Sequence, residues 1–270
     1  MSSNDEVGLN TANYWTSLET FPEPTMVKYY YHGDGSLSTS VPVEGETDSS
    51  PYVFDPANPV PTVGGNNLDM PCGPLDQAEI DQRTDVLTFD TPAFEAPLPL
   101  TGPLLATLYV SSDAIDTDFM VRLSDVYPTG EVRLIQDSAI RMRWREGGET
   151  PVYMTPNEVY KVELSLWNTS YVVAEGHALR VAISSSNYPR FSLNYNNGVL
   201  LRNPNPGEMI VAKNVFYHSA QYPSYFELPV VSKKQLPKIH NLKATFEKSV
   251  PGLKADDVLK GTRISLIIHP

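Results

Sequence analysis

The chain has 270 residues, 41% of them hydrophobic, and a formal net charge of −12. That length suffices for one large β domain or two small ones, each with a proper core. The acidic balance argues against a nucleic-acid partner, whose phosphates need concentrated Lys and Arg. The lack of any run of about 18 apolar residues excludes a membrane-spanning helix.

Twenty-four prolines, 16 glycines and 10% aromatic residues suit short strands joined by irregular loops better than helices. The one cysteine, Cys72, rules out an internal disulfide. The first residues also lack the basic and apolar blocks of a secretory leader, so a cytoplasmic location is expected. Charge is uneven: residues 1–232 sum to −17 and residues 233–270 to +5. Three segments follow from this, a polar stretch 1–13, a body 14–232 and a basic extension 233–270.

In chain order, Met26–Tyr31 is a first strand and His32-Gly33-Asp34-Gly35 a tight turn. Leu37 to Pro71, rich in Pro, Gly, Asn and Ser, reads as a long ordered loop. Val86–Phe89 is a short strand, and the apolar run Leu104–Val110 a strand buried on both faces. Phe119, Val121 and Leu123 alternate with Met120, Arg122 and Ser124, the period of two of a half-buried strand. Tyr127-Pro128-Thr129-Gly130 is turn chemistry, because Pro presets one φ and Gly tolerates a positive one.

Val132–Gln136 and Ala139–Arg145 complete an antiparallel meander. The latter is read with Ile140, Met142 and Trp144 on one face and Arg141, Arg143 and Arg145 on the other. Val159–Leu166 alternates with Tyr160, Val162, Leu164 and Leu166 inward. Leu179, Val181 and Ile183 repeat the pattern before a Ser184–Pro189 corner. Asn194–Pro206 is a polar loop, and Met209–Tyr217 and Tyr225–Val230 are the last strands of the body. About nine strands and no long amphipathic helix predict an all-β, two-sheet sandwich of jelly-roll type. In the extension, Leu236–His240 and Leu253–Ile268 suggest a short helix and a strand.

Several collinear motifs carry a family resemblance. They are Tyr52-Val53-Phe54-Asp55-Pro56-Ala57-Asn58-Pro59, Ser111-Ser112-Asp113-Ala114-Ile115-Asp116-Thr117-Asp118-Phe119, Leu123-Ser124-Asp125-Val126-Tyr127-Pro128, Gly176-His177-Ala178-Leu179-Arg180 and Ser184-Ser185-Ser186-Asn187-Tyr188-Pro189-Arg190. Together they resemble the C-terminal module of the serine hydrolases that include Xaa-Pro dipeptidyl peptidases, cocaine esterase and related acyl esterases, from about Trp15 to Val231. The resemblance implies a galactose-binding-like jelly roll that packs against an α/β-hydrolase domain. It also implies that the catalytic triad belongs to that preceding domain. No nucleophile elbow of Gly-x-Ser-x-Gly type occurs here, so no catalytic residue is assigned.

Four carboxylates, Asp113, Asp116, Asp118 and Asp125, can supply oxygen ligands to Ca²⁺. Alternatively they accept backbone N–H groups or pair with arginines, and this second reading is preferred; no cofactor or resident metal is assigned. Arg141, Arg143 and Arg145 read as an anion or partner stripe, or as an outward face neutralised across strands. His177, His218 and His32 read as side chains bonded to loop backbone. Tyr29, Tyr30, Tyr31, Tyr188, Phe191 and Tyr195 are candidates for a carbohydrate-stacking groove or for core. Asn168-Thr169-Ser170 fits a glycosylation triplet that chance readily produces.

Three functions fit: a non-catalytic accessory module partnered by an α/β-hydrolase chain or a second copy, a stand-alone ligand-binding sandwich, and one part of a split hydrolase. No nucleic acid or membrane enters any of them.

Overall fold

The computed structural model describes residues 20–45, 47–68, 70–200 and 207–232. The expected polar segment 1–13 and basic extension lie outside the described residues. Eleven strands form two antiparallel sheets of a sandwich. They are β1 (Thr25–Tyr31), β2 (Leu37–Ser38), β3 (Ser49–Phe54), β4 (Leu87–Asp90), β5 (Leu98–Ser112), β6 (Asp118–Val126), β7 (Val132–Arg141), β8 (Tyr160–Val173), β9 (Ala178–Ser184), β10 (Ala212–Tyr217) and β11 (Tyr225–Val230).

The larger sheet runs β2-β1-β11-β5-β10-β3, with β8 on the other side of β5; the smaller runs β4-β9-β6-β7. The long β5 organises the larger sheet, since β11 and β10 pair with successive halves of it and β8 with nearly its whole length. The period-two pattern does what it predicts. Phe119, Val121 and Leu123 of β6 and Leu179, Val181 and Ile183 of β9 turn inward to meet Leu104, Leu108, Val162, Leu164, Phe216 and Phe226 of the facing sheet. Burying each such side chain contributes about 1.5–3 kcal/mol.

Opposite residues of β6 are buried too, because the segment around Gln77 and Asp81 covers that face. Arg122 donates to Gln77 Oε1 at 2.6 Å and to Asp81 Oδ1 at 2.8 Å. Arg180 joins the same carboxylate, which leaves a fully paired charge cluster under the cover.

Five readings of the sequence need correction. Within the expected loop from Leu37 to Pro71, β2 and β3 are regular; β3 buries Tyr52 and Phe54 and pairs with β10. Among the described residues it pairs with no other strand, and an edge strand tolerates Pro51. The two strands expected between Val132 and Arg145 are one strand that ends at Arg141. The chain then enters a 3-10 turn, Met142–Trp144, where the two-residue period fails. Met142 and Arg143 are therefore both buried and Trp144 only half-buried, so the expected apolar and arginine faces do not exist. Finally, β8 continues past Leu166 to Val173, and the strand expected from Met209 starts at Ala212.

Candidate functional site

Beyond the last residues of β5, β7 and β9 the chain is irregular, and charge holds it in shape. Asp116, fully buried, sits in the loop between β5 and β6. Its Oδ1 accepts the Arg143 backbone N–H at 2.9 Å, and its Oδ2 lies 2.8 Å from Arg143 Nη2. Asp118 accepts Arg141 Nε and Nη2 at 2.8 and 2.7 Å, a bidentate pair. Asn194 donates from one Nδ2 to both carboxylates, at 2.9 and 2.7 Å. Burial pushes the Asp116 carboxyl above its ordinary value, opposed by Arg143 and then by Asn194.

This knot fixes the segment 194–199. Arg143 Nη1 donates to the carbonyls of Gly198 and Val199 at 3.0 and 2.9 Å. The Asn194 and Asn197 side chains cap the N–H groups of Asn196 and Val199. Gly198 has φ +74°, and a Cβ there would meet Tyr153 Cε1 at 2.9 Å and Ile115 Cδ1 at 3.0 Å. A glycine is required. Asn196 and Asn197 in turn hold the segment before β10 through Ile210 O and Glu208 O.

The surface over this framework is apolar. Ile115, Tyr153, Met209, Ile210 and Val211 are each at least 40% exposed, and the Tyr153 hydroxyl donates to Gly198 O at 2.8 Å. Val53, also exposed, stands opposite Lys213, two residues from Val211.

The four aspartates do not converge. Asp113 is exposed and accepts the Lys213 N–H at 2.8 Å, tying down the start of β10. Asp125 lies at the other end of β6, where Oδ1 is 3.0 Å from His177 Nδ1 and Oδ2 accepts the Tyr171 hydroxyl at 2.8 Å. Among the described residues, no three His, Cys, Asp or Glu side chains stand in a metal-holding group. Arg145 spans the loop after the 3-10 turn, donating to the carbonyls of Met142 and Val152 and stacking over Tyr160. Arg141 and Arg143 thus belong to one knot and Arg145 braces a separate loop.

His177 was expected to bond to backbone; its partner is instead the Asp125 carboxylate, with the Tyr127 ring 4.3 Å away. Ser38 and Ser50 hydrogen-bond to His32 and His218. Ser185 is shared by Tyr52 and Asn214. Burial lowers the pKa of His218, whose ring lies near Phe89 and Phe216. An open cleft of about 520 Å³ is lined by His32, Asp34, Ser36, Ser38, Gly45 and Thr47. The six aromatics do not form a platform, since Tyr31 is in the core against Phe89 and Phe216 while Tyr188 is out in solvent.

Sequence reasoning missed Asn194, Gly198, Tyr153 and Ile210. An Asn-rich run is ordinarily solvated loop, and no local pattern marks Asn194 and Gly198 as buried struts or Tyr153 and Ile210 as neighbours on the surface above them.

A compact sandwich with irregular, rigidly braced loops defines the class, and comparison places it. A family model described as the X-Pro dipeptidyl-peptidase C-terminal non-catalytic domain matches residues 2–227, and the chain belongs to that family. It is similar to cocaine esterase of Rhodococcus sp. (strain MB1 Bresler), 38% identical over 203 residues that cover 74% of this chain and 35% of the esterase. A putative serine esterase of Mycobacterium bovis is 27% identical over 208 residues, covering 67% and 32%. Among solved structures, an alpha-amino acid ester hydrolase superposes with a TM-score of 0.74 at 29% identity, over 81% of this chain and 39% of that one. An aminopeptidase from a marine sediment Thaumarchaeota archaeon gives 0.72 at 26% identity, over 83% and 40%. The chain spans about a third of the length of the curated relatives it matches. Among the described residues, no helix is long and apolar enough to cross a membrane.

Proposed function

We propose that this sandwich is the accessory module of a serine hydrolase of the esterase or aminopeptidase kind. It packs against a region of α/β-hydrolase fold that carries the nucleophile, in the same polypeptide or in a partner chain. One observation carries the reading: a sandwich with its own closed core superposes over 81% of its length on a hydrolase in which that shape occupies 39% of the chain. What such a module contributes is shape. It offers rigid loops whose conformation is set before docking, so little ordering entropy is lost on contact. Its exposed, unpaired Cys72 suits a reducing compartment, which supports a cytoplasmic location.

The test is a graft in which this chain replaces the matched third of the Rhodococcus cocaine esterase. The expected hybrid hydrolyses an aryl ester and melts in one transition, while the chain alone is folded and turns over neither aryl esters nor Xaa-Pro amides. An inactive hybrid that melts as two independent units would overturn the reading. So would turnover by the chain alone that one serine replacement abolishes.

A further inference from the structure

The exposed apolar side chains of the described residues are not scattered evenly. Five of the twelve large ones, Ile115, Tyr153, Met209, Ile210 and Val211, gather where the loop after β5, the segment 194–199 and the approach to β10 meet. Val53 stands beside them across the β3–β10 pair, while Leu68 and Trp167 sit in the 64–73 loop and in β8. A patch of this kind on a soluble domain marks an interaction site.

Its support is also unusual. Two carboxylates and two guanidiniums are withdrawn from water beneath it, an arrangement that costs more in desolvation than it returns unless every group is paired. The product of that cost is a fixed loop, since Arg143 reaches through the knot to hold the successive carbonyls of Gly198 and Val199.

We infer that this end of the sandwich is the face that meets the α/β-hydrolase region, an inference that rests on the function proposed above. The occupant follows from the relatives, in each of which about two-thirds of the polypeptide lies outside the matched module. Its chemistry follows from the rim. Asp113 and Glu208 are exposed beside the patch, with Lys213 the nearby cation, so the occupying face is apolar at its centre and basic at its edge. Ile210 and Val211 are the central anchors and Tyr153 a rigid amphipathic one.

The hybrid esterase separates this inference from the reading beneath it. Ile210→Asp with Val211→Asp should split its melting into two transitions and lower ester turnover at least tenfold. Trp167→Asp and Leu68→Asp should leave both unchanged. If the unsubstituted hybrid works and the paired aspartates leave it intact, the face lies elsewhere and the accessory function stands. If the unsubstituted hybrid fails, the accessory function falls, and with it the occupant.

A second measurement uses the full chain alone. A hydrophobic dye should bind it, and the paired aspartates should reduce that binding severalfold at an unchanged melting temperature. Unreduced binding would remove the patch. Higher binding after deletion of residues 233–270 would make the chain's own extension the occupant. A dimer dissolved by Ile210→Asp would make it a second copy. Either of the last two results overturns the assignment to a hydrolase.

Discussion

The two ends of β6 carry similar carboxylates in opposite employment. At its start, Asp118 and its neighbour Asp116 engage full charges and share Asn194, and the result is a long irregular segment held in one shape. At its end, Asp125 takes a histidine and a phenol beside a tight turn that closes through its own backbone, with Gly130 N–H donating to Tyr127 O. A turn of four residues needs little help. Loops that leave the sheets altogether need groups strong enough to replace ladder hydrogen bonds, and buried ion pairs supply them. Among the described residues, the cluster of exposed apolar side chains lies at that braced end.

Breaking the braced end should have the largest effect. Arg143→Ala strands Asp116 as an uncompensated buried charge, and such a loss costs about 3–5 kcal/mol. The neighbouring Trp144, half-buried in the 3-10 turn, should cost less, about 1–2 kcal/mol for Trp144→Ala. Urea denaturation of both variants checks the order, and equal losses would mean that the knot bears no weight.

At the turn end, His177→Ala leaves Asp125 with its Tyr171 bond. The expected cost is that of one buried hydrogen-bond partner, about 1–3 kcal/mol. A loss as large as that of Arg143→Ala would erase the contrast between the ends.

Between the two ends, His218 supplies a smaller, pH-dependent term. Burial favours its neutral form, so its folded pKa lies below the unfolded value. The associated stability is complete above about pH 6.5 and is lost as pH falls from there toward the folded pKa. Melting temperatures between pH 7.5 and 5 should therefore decline less steeply in His218→Gln than in the parent. Parallel curves would show that the imidazole titrates normally.

The smallest expected effect concerns metal. The oxygens of Asp116 and Asp118 already accept N–H donors, while Asp125 sits at the far end of the strand. Added Ca²⁺ followed by chelator should leave the melting temperature where it was, since a ligand shifts stability only by binding the folded form. A reversible rise of several degrees would make this loop a metal site.

The sandwich was legible because burial imposes a period of two. Phe119, Val121 and Leu123 sit where their alternation puts them, as do Tyr160 to Leu166 and Leu179 to Ile183. The same rule failed at Met142–Trp144, where hydrogen bonds from the Met142 and Arg143 N–H groups to Thr117 O and Asp116 Oδ1 hold the chain in a turn. It also missed β3, because prolines at 51, 56, 59 and 61 disguise an edge strand as a loop. Of the site, both structural roles read for the aspartates occur, since Asp116 and Asp118 pair with arginines and Asp116 also accepts a backbone N–H. Which arginine meets which aspartate is set by a bulge in β6–β7 pairing and by a loop carrying Asn194, 78 and 76 residues away in sequence from Asp116 and Asp118. Nothing local encodes that.

Amide hydrogen exchange on the unmodified chain tests most directly whether the braced end is a preformed surface. The N–H groups of Asn196, Val199 and Ile210 donate to Asn194 Oδ1, Asn197 Oδ1 and Tyr195 O. Their exchange should be slowed to the level of the strand β10, even though the segment has no regular structure. Exchange as fast as that of the exposed turn at Pro128–Gly130 would contradict the account, because a loop that opens so freely is not held by its ion pairs.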